Sequence, residues 1–220
     1  MPKPLLVIGN RNYSSWSLRA WLALGAAGLE CDTQLLVLDT PQFRTEVRRY
    51  SRAARVPVLL DGELCIWDSL AIAEYAAERT GQGWPRAVKA RAVARAVSAE
   101  MHSGFATLRN LWPMNIRARD RHVAATPALQ ADIARIDELW TDCRTQYGAQ
   151  GPWLFGEYSI ADAFFAPVVC RFATYGTAGL GPASLDYVAA TLAGSALREW
   201  SAMAAAETAV IEHEEVGRLP

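Results

Sequence analysis

The chain has 220 residues, of which 51% are hydrophobic and 20% charged, and 22 basic against 23 acidic side chains leave a formal net charge of −1. That much apolar side chain can bury the core of one large or two small domains, which excludes a disordered chain. The balanced charge argues against nucleic acid or an anionic membrane as a partner.

In chain order, the first eighty residues alternate strand-like and helix-like segments. Leu5 to Ile8 is a short apolar run closed by Gly9 and Asn10, so it reads as a buried strand. Leu18, Trp21 and Leu22 recur at helical spacing, with Gly25 and Gly28 near the end. Leu35 to Leu38 reads as a second strand, followed by Asp39-Thr40-Pro41 as a helix start with Pro at its first position. Val58-Leu59-Leu60, Asp61-Gly62 and Leu64 to Trp67 form a hairpin pattern with a two-residue turn. Asp68 then opens a helix through Ala71, Ile72 and Tyr75. The order is β-α-β-α-β-β-α.

The Gly- and Pro-containing stretch that begins after Thr80 is a linker, taken as residues 81–87 between units at 1–80 and 88–220. Beyond it every periodic segment is helical. Arg86 to Leu111 reads as one long helix ended by Pro113. Thr126-Pro127 starts another, carried to about Tyr147. Ser159 and Asp162 form a capping box that opens an apolar helix to Ala173. Gly-rich residues 176–182 precede two shorter helices. The four cysteines, Cys31, Cys65, Cys143 and Cys170, have neither C-x-x-C pairing nor His at metal spacing. They read as reduced structural thiols, and no metal is expected. The four-residue apolar stretch before Gly9 is short for a signal peptide, and no run approaches a bilayer span. The expected location is cytoplasmic, without a membrane.

Three junctions in the first half carry chemistry. Ser14-Ser15-Trp16-Ser17-Leu18-Arg19 sits where the first strand meets the first helix. A hydroxyl there caps the helix, or donates to an anion held by the helix N-terminus. Arg55-Val56-Pro57-Val58 places Pro at a strand entry. A trans bond would simply mark that entry, whereas a cis bond would turn the Val56 backbone toward an extended peptide ligand. Asp68-Ser69 puts a carboxylate and a hydroxyl at a third helix start, either as caps or as a cradle for an amino-acid head group.

Taken together and in this order, these motifs resemble the glutathione transferase superfamily over essentially the whole chain. The resemblance implies a thioredoxin-like N-terminal domain followed by a C-terminal helical bundle. Ser14-Ser15-Trp16-Ser17-Leu18-Arg19 is similar to the S-S-C-x-x-R motif of the zeta class, in a form found in bacterial transferase-like proteins. Aligned on Arg19, Ser14 takes the place of the family's catalytic serine, with Ser15 as the runner-up. By the same carry-over Val56, beside Pro57, pairs with the cysteinyl backbone of glutathione. Asp68 and Ser69 hold the γ-glutamyl end, and Arg44 or Arg55 meets the glycyl carboxylate. Trp16 stands where the zeta class has cysteine, which bears against its isomerase activity rather than against the glutathione site.

The resemblance also implies a second-substrate pocket against the helical half. Trp16, His102, Phe105, Arg109, Trp112, Met114 and Tyr175 are its candidates. His102, Phe105 and Arg109 fall at i, i+3 and i+7, so one continuous helix would put them on one face; ordinary core packing explains them equally well. The expected activity is glutathione transfer to a small apolar electrophile, with glutathione as co-substrate. The alternatives are a glutathione-dependent cis-trans isomerase of maleylacetoacetate type, a peroxidase, or a non-catalytic binding module. A homodimer is expected.

Overall fold

A computed structural model describes residues 3–218. Its first half is a four-stranded mixed sheet flanked by helices, and its second half is helical. Strands β1 (Leu5–Ile8), β2 (Asp32–Leu35), β3 (Val58–Asp61) and β4 (Leu64–Trp67) lie in the order β2-β1-β3-β4. β1 pairs in parallel with β2, Leu5 opposite Asp32, and antiparallel with β3, Val7 opposite Val58. β3 and β4 form the expected hairpin, its turn made by Gly62 at φ +60°. Helices α1 (Ser15–Ala26), α2 (Phe43–Val47) and α3 (Ser69–Thr80) complete the thioredoxin-like unit.

Two boundaries move from their sequence positions. β2 lies three residues before the apolar run Leu35 to Leu38, because it is an edge strand whose first three residues face solvent. Apolar periodicity cannot locate such a strand. Pro41 lies outside α2 rather than at its first position. The Thr40 hydroxyl accepts from the Phe43 N–H at 3.2 Å, and the short helix begins there.

The helical half comprises α4 (Val88–Ser103), α5 (Ala106–Leu111), α6 (Pro127–Tyr147), α7 (Ile160–Tyr175), α8 (Pro182–Ala193) and α9 (Ser195–Ala205), then a 3-10 turn at Glu212–Glu214. The expected single helix from Arg86 to Leu111 is therefore two. Gly104 is extended and Phe105 takes φ +56°, so the backbone turns between them. A Cβ on Gly104 would sit 2.8 Å from the Glu100 carbonyl oxygen, which only glycine avoids. α7 is apolar almost all round and buried along nearly its whole length, packing on α1, α4 and α8. Its capping box is present, with Asp162 accepting from the Ser159 N–H at 2.8 Å and from the Leu154 N–H at 3.1 Å.

Two segments fix the turn before α1. Asn12 accepts from the Ile116 and Arg117 N–H groups and donates to Asn115, which ties the turn to the chain after α5. The C-terminal segment clamps it from the other side. Glu207 receives the Arg11 backbone N–H at 3.0 Å, and Glu215 receives the Tyr13 hydroxyl at 2.7 Å and the Asn115 amide at 2.8 Å. Arg117 also donates to the Glu207 carbonyl.

Candidate functional site

Two adjoining cavities open where the sheet half meets the helical half. The first, of about 540 Å³, is lined by Arg55, Val56, Pro57, Asp68, Ser69 and His102, with Trp16, Ala53 and Trp67 around them. The second, of about 450 Å³, is lined by Ser14, Ser15, Arg109, Met114, Arg171 and Glu214 among others. Trp16, Arg55 and Val56 belong to both. Of the residues that the resemblance assigns to glutathione, only Arg44 lies outside them, exposed on α2.

The local structure explains each placement. Val56-Pro57 is cis, and both residues line the first cavity. Asp68 caps α3, its Oδ1 accepting from the Leu70 N–H at 2.8 Å, while Oδ2 stands 3.2 Å from His102 Nε2. The Asp68 backbone takes φ +79°, a conformation that costs an L residue about 1–3 kcal/mol and clusters at functional sites. A hydrogen bond from His102 holds its carboxyl below the usual carboxylate range against the opposing effect of burial. The Ser69 hydroxyl is buried without a hydrogen-bond partner among the described residues. A polar ligand group would satisfy it.

Ser14, not Ser15, is the N-cap of α1. Its Oγ accepts from the Ser17 N–H at 3.3 Å and donates to the Ser17 Oγ at 2.7 Å. Ser17 Oγ in turn accepts from the Gly9 N–H at 3.0 Å. This chain of hydroxyls anchors the turn while leaving Ser14 on the cavity wall.

Trp16 lies between two arginines. The Arg19 guanidinium is 4.7 Å from its ring and that of Arg109 5.4 Å. Arg19 is fully buried and donates Nε–H to the Phe164 carbonyl, and its other two nitrogens have no partner among the described residues. Burial, reinforced by Arg171 and Arg109, pushes its pKa well down. Arg171 is also buried. It donates to the Trp112 and Pro167 carbonyls, and burial brings it down to about 10, so it stays charged at neutral pH. Burial raises the Glu214 carboxyl opposite it. With Arg55, Arg109 and Arg171 in its lining and Glu214 as its acid, the second cavity has a cationic side beside the Trp16 ring.

The helical candidates divide. Trp16, Arg109 and Met114 wall the second cavity, and His102 joins the first. Phe105, Trp112 and Tyr175 line neither. Phe105 and Trp112 are buried in the core of the helical half, and Trp112 stacks on Tyr175 with ring centroids 5.2 Å apart. The break at Gly104 takes Phe105 off the face that one continuous helix would have given it. Sequence reasoning missed Arg171 and Glu214. A lone arginine inside the apolar run of α7 was the available signal for the first, since a charge there needs a reason; Glu214 carried none. Among the described residues no cluster of His, Cys, Asp or Glu is arranged to hold a metal, and no helix is long and apolar enough to cross a membrane.

Residues 13–79 match the family described as glutathione S-transferase, N-terminal domain. Among solved structures, a glutathione transferase homolog from Burkholderia gl BGR1 with bound glutathione superposes with a TM-score of 0.71 at 22% identity, covering 94% of this chain and 100% of that one. The theta class glutathione S-transferase of Xanthomonas axonopodis pv. citri, with glutathione bound, gives 0.64 at 22% identity over 91% and 98%. The Tau class enzyme of mango gives 0.68 at 16% identity over 92% and 96%. At these identities the likeness is one of fold. No curated protein sequence matches the chain at a significant level.

Proposed function

Residues 13–79 belong to the glutathione S-transferase N-terminal domain family, and the chain has the fold of that superfamily; from that premise we propose that it is a glutathione transferase using Ser14 to activate the thiol. The observation that carries the reading is one continuous recess. Its first part gathers the cis Val56-Pro57 backbone, Asp68 and an unpartnered Ser69 hydroxyl, and its second part has Ser14 on the wall. Glutathione lies along the first part, its γ-glutamyl end at Asp68 and Ser69 and its cysteinyl backbone on Val56. Arg55, which borders both cavities, is the better partner for the glycyl carboxylate than Arg44.

Ser14 turns its hydroxyl proton from Ser17 Oγ to the sulfur, and the N-terminus of α1 adds its dipole. Lowering a thiol pKa of about 8.5 by two units takes about 2.7 kcal/mol, within reach of one charge-assisted hydrogen bond plus that dipole. The thiolate then attacks an electrophilic carbon held in the second cavity, forming a C–S bond as the leaving group or the π electrons depart. Arg109 and Arg171 on that wall modify the expectation of an apolar substrate. They favour an electrophile with an apolar body on Trp16 and Met114 and an anionic group toward Arg109 or Arg171. We also read the chain as a cytoplasmic homodimer, with units at 1–80 and 88–220 joined by 81–87.

Calorimetric titration with glutathione, followed by rates on paired neutral and carboxylate-bearing electrophiles, tests the reading. It predicts saturable binding and turnover, higher for the carboxylates. Binding without any turnover would make the chain a non-catalytic module, and no binding would remove the proposal.

A further inference from the structure

His102 is the residue of the helical half that reaches the Asp68 carboxylate, and its position follows from the helix break. It lies in the last turn of α4, two residues before the extended Gly104. α5 returns across that end, and Arg109 donates to the His102 carbonyl at 3.1 Å. The ring is held edge-on by Trp16, with centroids 5.2 Å apart, and is tilted on Phe164 at 6.2 Å. These contacts hold Nε2 within 3.2 Å of Asp68 Oδ2. A carboxylate oxygen only accepts, so Nε2 carries the hydrogen. Nδ1 is buried with no partner among the described residues, so it adds nothing to the fold that would justify a histidine there.

Asp68 needs this support. Its Oδ1 is committed to the N-terminus of α3, whereas Oδ2 faces the first cavity on a half-exposed side chain. A carboxylate held at one oxygen can still swivel the other. We propose that His102 is a positioning residue for the glutathione site: its Nε2–H fixes Asp68 Oδ2 where the ligand's ammonium group is received, so the site in the sheet half is completed by the helical half. The inference rests on the glutathione reading above. Ligand binding at Asp68 is then mechanically joined to the second cavity, because the residue that orients Asp68 also bears on Trp16 and Arg109.

The test compares glutathione with its analogue lacking the γ-glutamyl amino group, titrated calorimetrically against wild type, His102→Phe and His102→Gln. Phenylalanine keeps the ring packing without the donor, and glutamine restores an N–H donor at similar reach. His102→Phe is expected to weaken glutathione binding about tenfold, the equivalent of one hydrogen bond to a charged group. His102→Gln should recover most of that loss, and all three proteins should bind the analogue equally. A His102→Phe that binds glutathione as well as wild type or better, or that loses both ligands alike, overturns the inference alone. Wild type that binds neither compound overturns the glutathione reading and the inference with it.

Discussion

At Ser14 one hydroxyl serves two purposes, because it caps α1 through the Ser17 N–H and shares a proton with the Ser17 Oγ. Its loss therefore has two separable consequences. Ser14→Ala should lower stability by about 1 kcal/mol for the missing cap. It should also slow turnover at neutral pH by roughly ten- to a hundredfold through a smaller thiolate fraction, with glutathione affinity little changed. Raising the pH should restore much of that rate, since solvent then removes the proton. Ser15 makes no capping bond, so Ser15→Ala should leave stability within about 0.5 kcal/mol of wild type. Steady-state rates across pH for both variants, with thermal unfolding, check this pair; a rate loss confined to Ser15→Ala would transfer the role to that residue. Sequence order and helix-cap preference made this turn legible. They left the choice between two adjacent serines open, because a one-residue shift of a helix start is invisible in a pattern.

Among the elements, the break between α4 and α5 decides what the helical half offers the site. It turns Phe105 into the core and leaves His102 and Arg109 at the junction. Phe105→Ala should accordingly cost about 3–5 kcal/mol in chemical denaturation with the KM for the second substrate unchanged. A raised KM at unchanged stability would return Phe105 to the pocket. Helical periodicity predicted these residues as one face, since Gly within a helical pattern is a weak stop signal on its own and the positive φ of Phe105 leaves no mark in composition. The order of the elements and the hairpin were legible from the apolar runs and Asp61-Gly62. β2 was misplaced because its exposed edge residues carry no such run.

The C-terminal segment is a second element that the sequence did not announce. Burial pushes Glu215 upward, but hydrogen bonds from Tyr13, Asn115 and Arg218 and the charge of Arg121 outweigh it and bring the carboxyl down to about 2. A carboxyl lowered on folding stabilises the protein above its unfolded pKa of about 4.3, and that contribution is lost as pH falls toward the folded value. Glu215→Gln should thus lower Tm at pH 7, and the gap from wild type should narrow between about pH 5 and 3. A gap independent of pH would mean that packing, not the charge, fastens this segment.

For the whole molecule, the fold could be read from short motifs in the right order, because each is a junction where the backbone passes from one element to the next. The cationic character of the second cavity could not, since Arg55, Arg109 and Arg171 come from a loop and two helices and meet only in space. The proposed homodimer should sediment as a single species near twice the 24.1 kDa chain mass at micromolar concentration, through a two-fold contact of at least about 1,200 Å². A monomer at that concentration would contradict it.

The claim on which the account turns is that this recess binds glutathione and holds it as a thiolate. Titrating thiolate absorbance against pH, with glutathione saturating the wild-type protein, addresses both halves at once. The account predicts a bound thiol that ionises about two units below the free value of about 8.5. A saturated protein whose bound thiol titrates near 8.5 would contradict it.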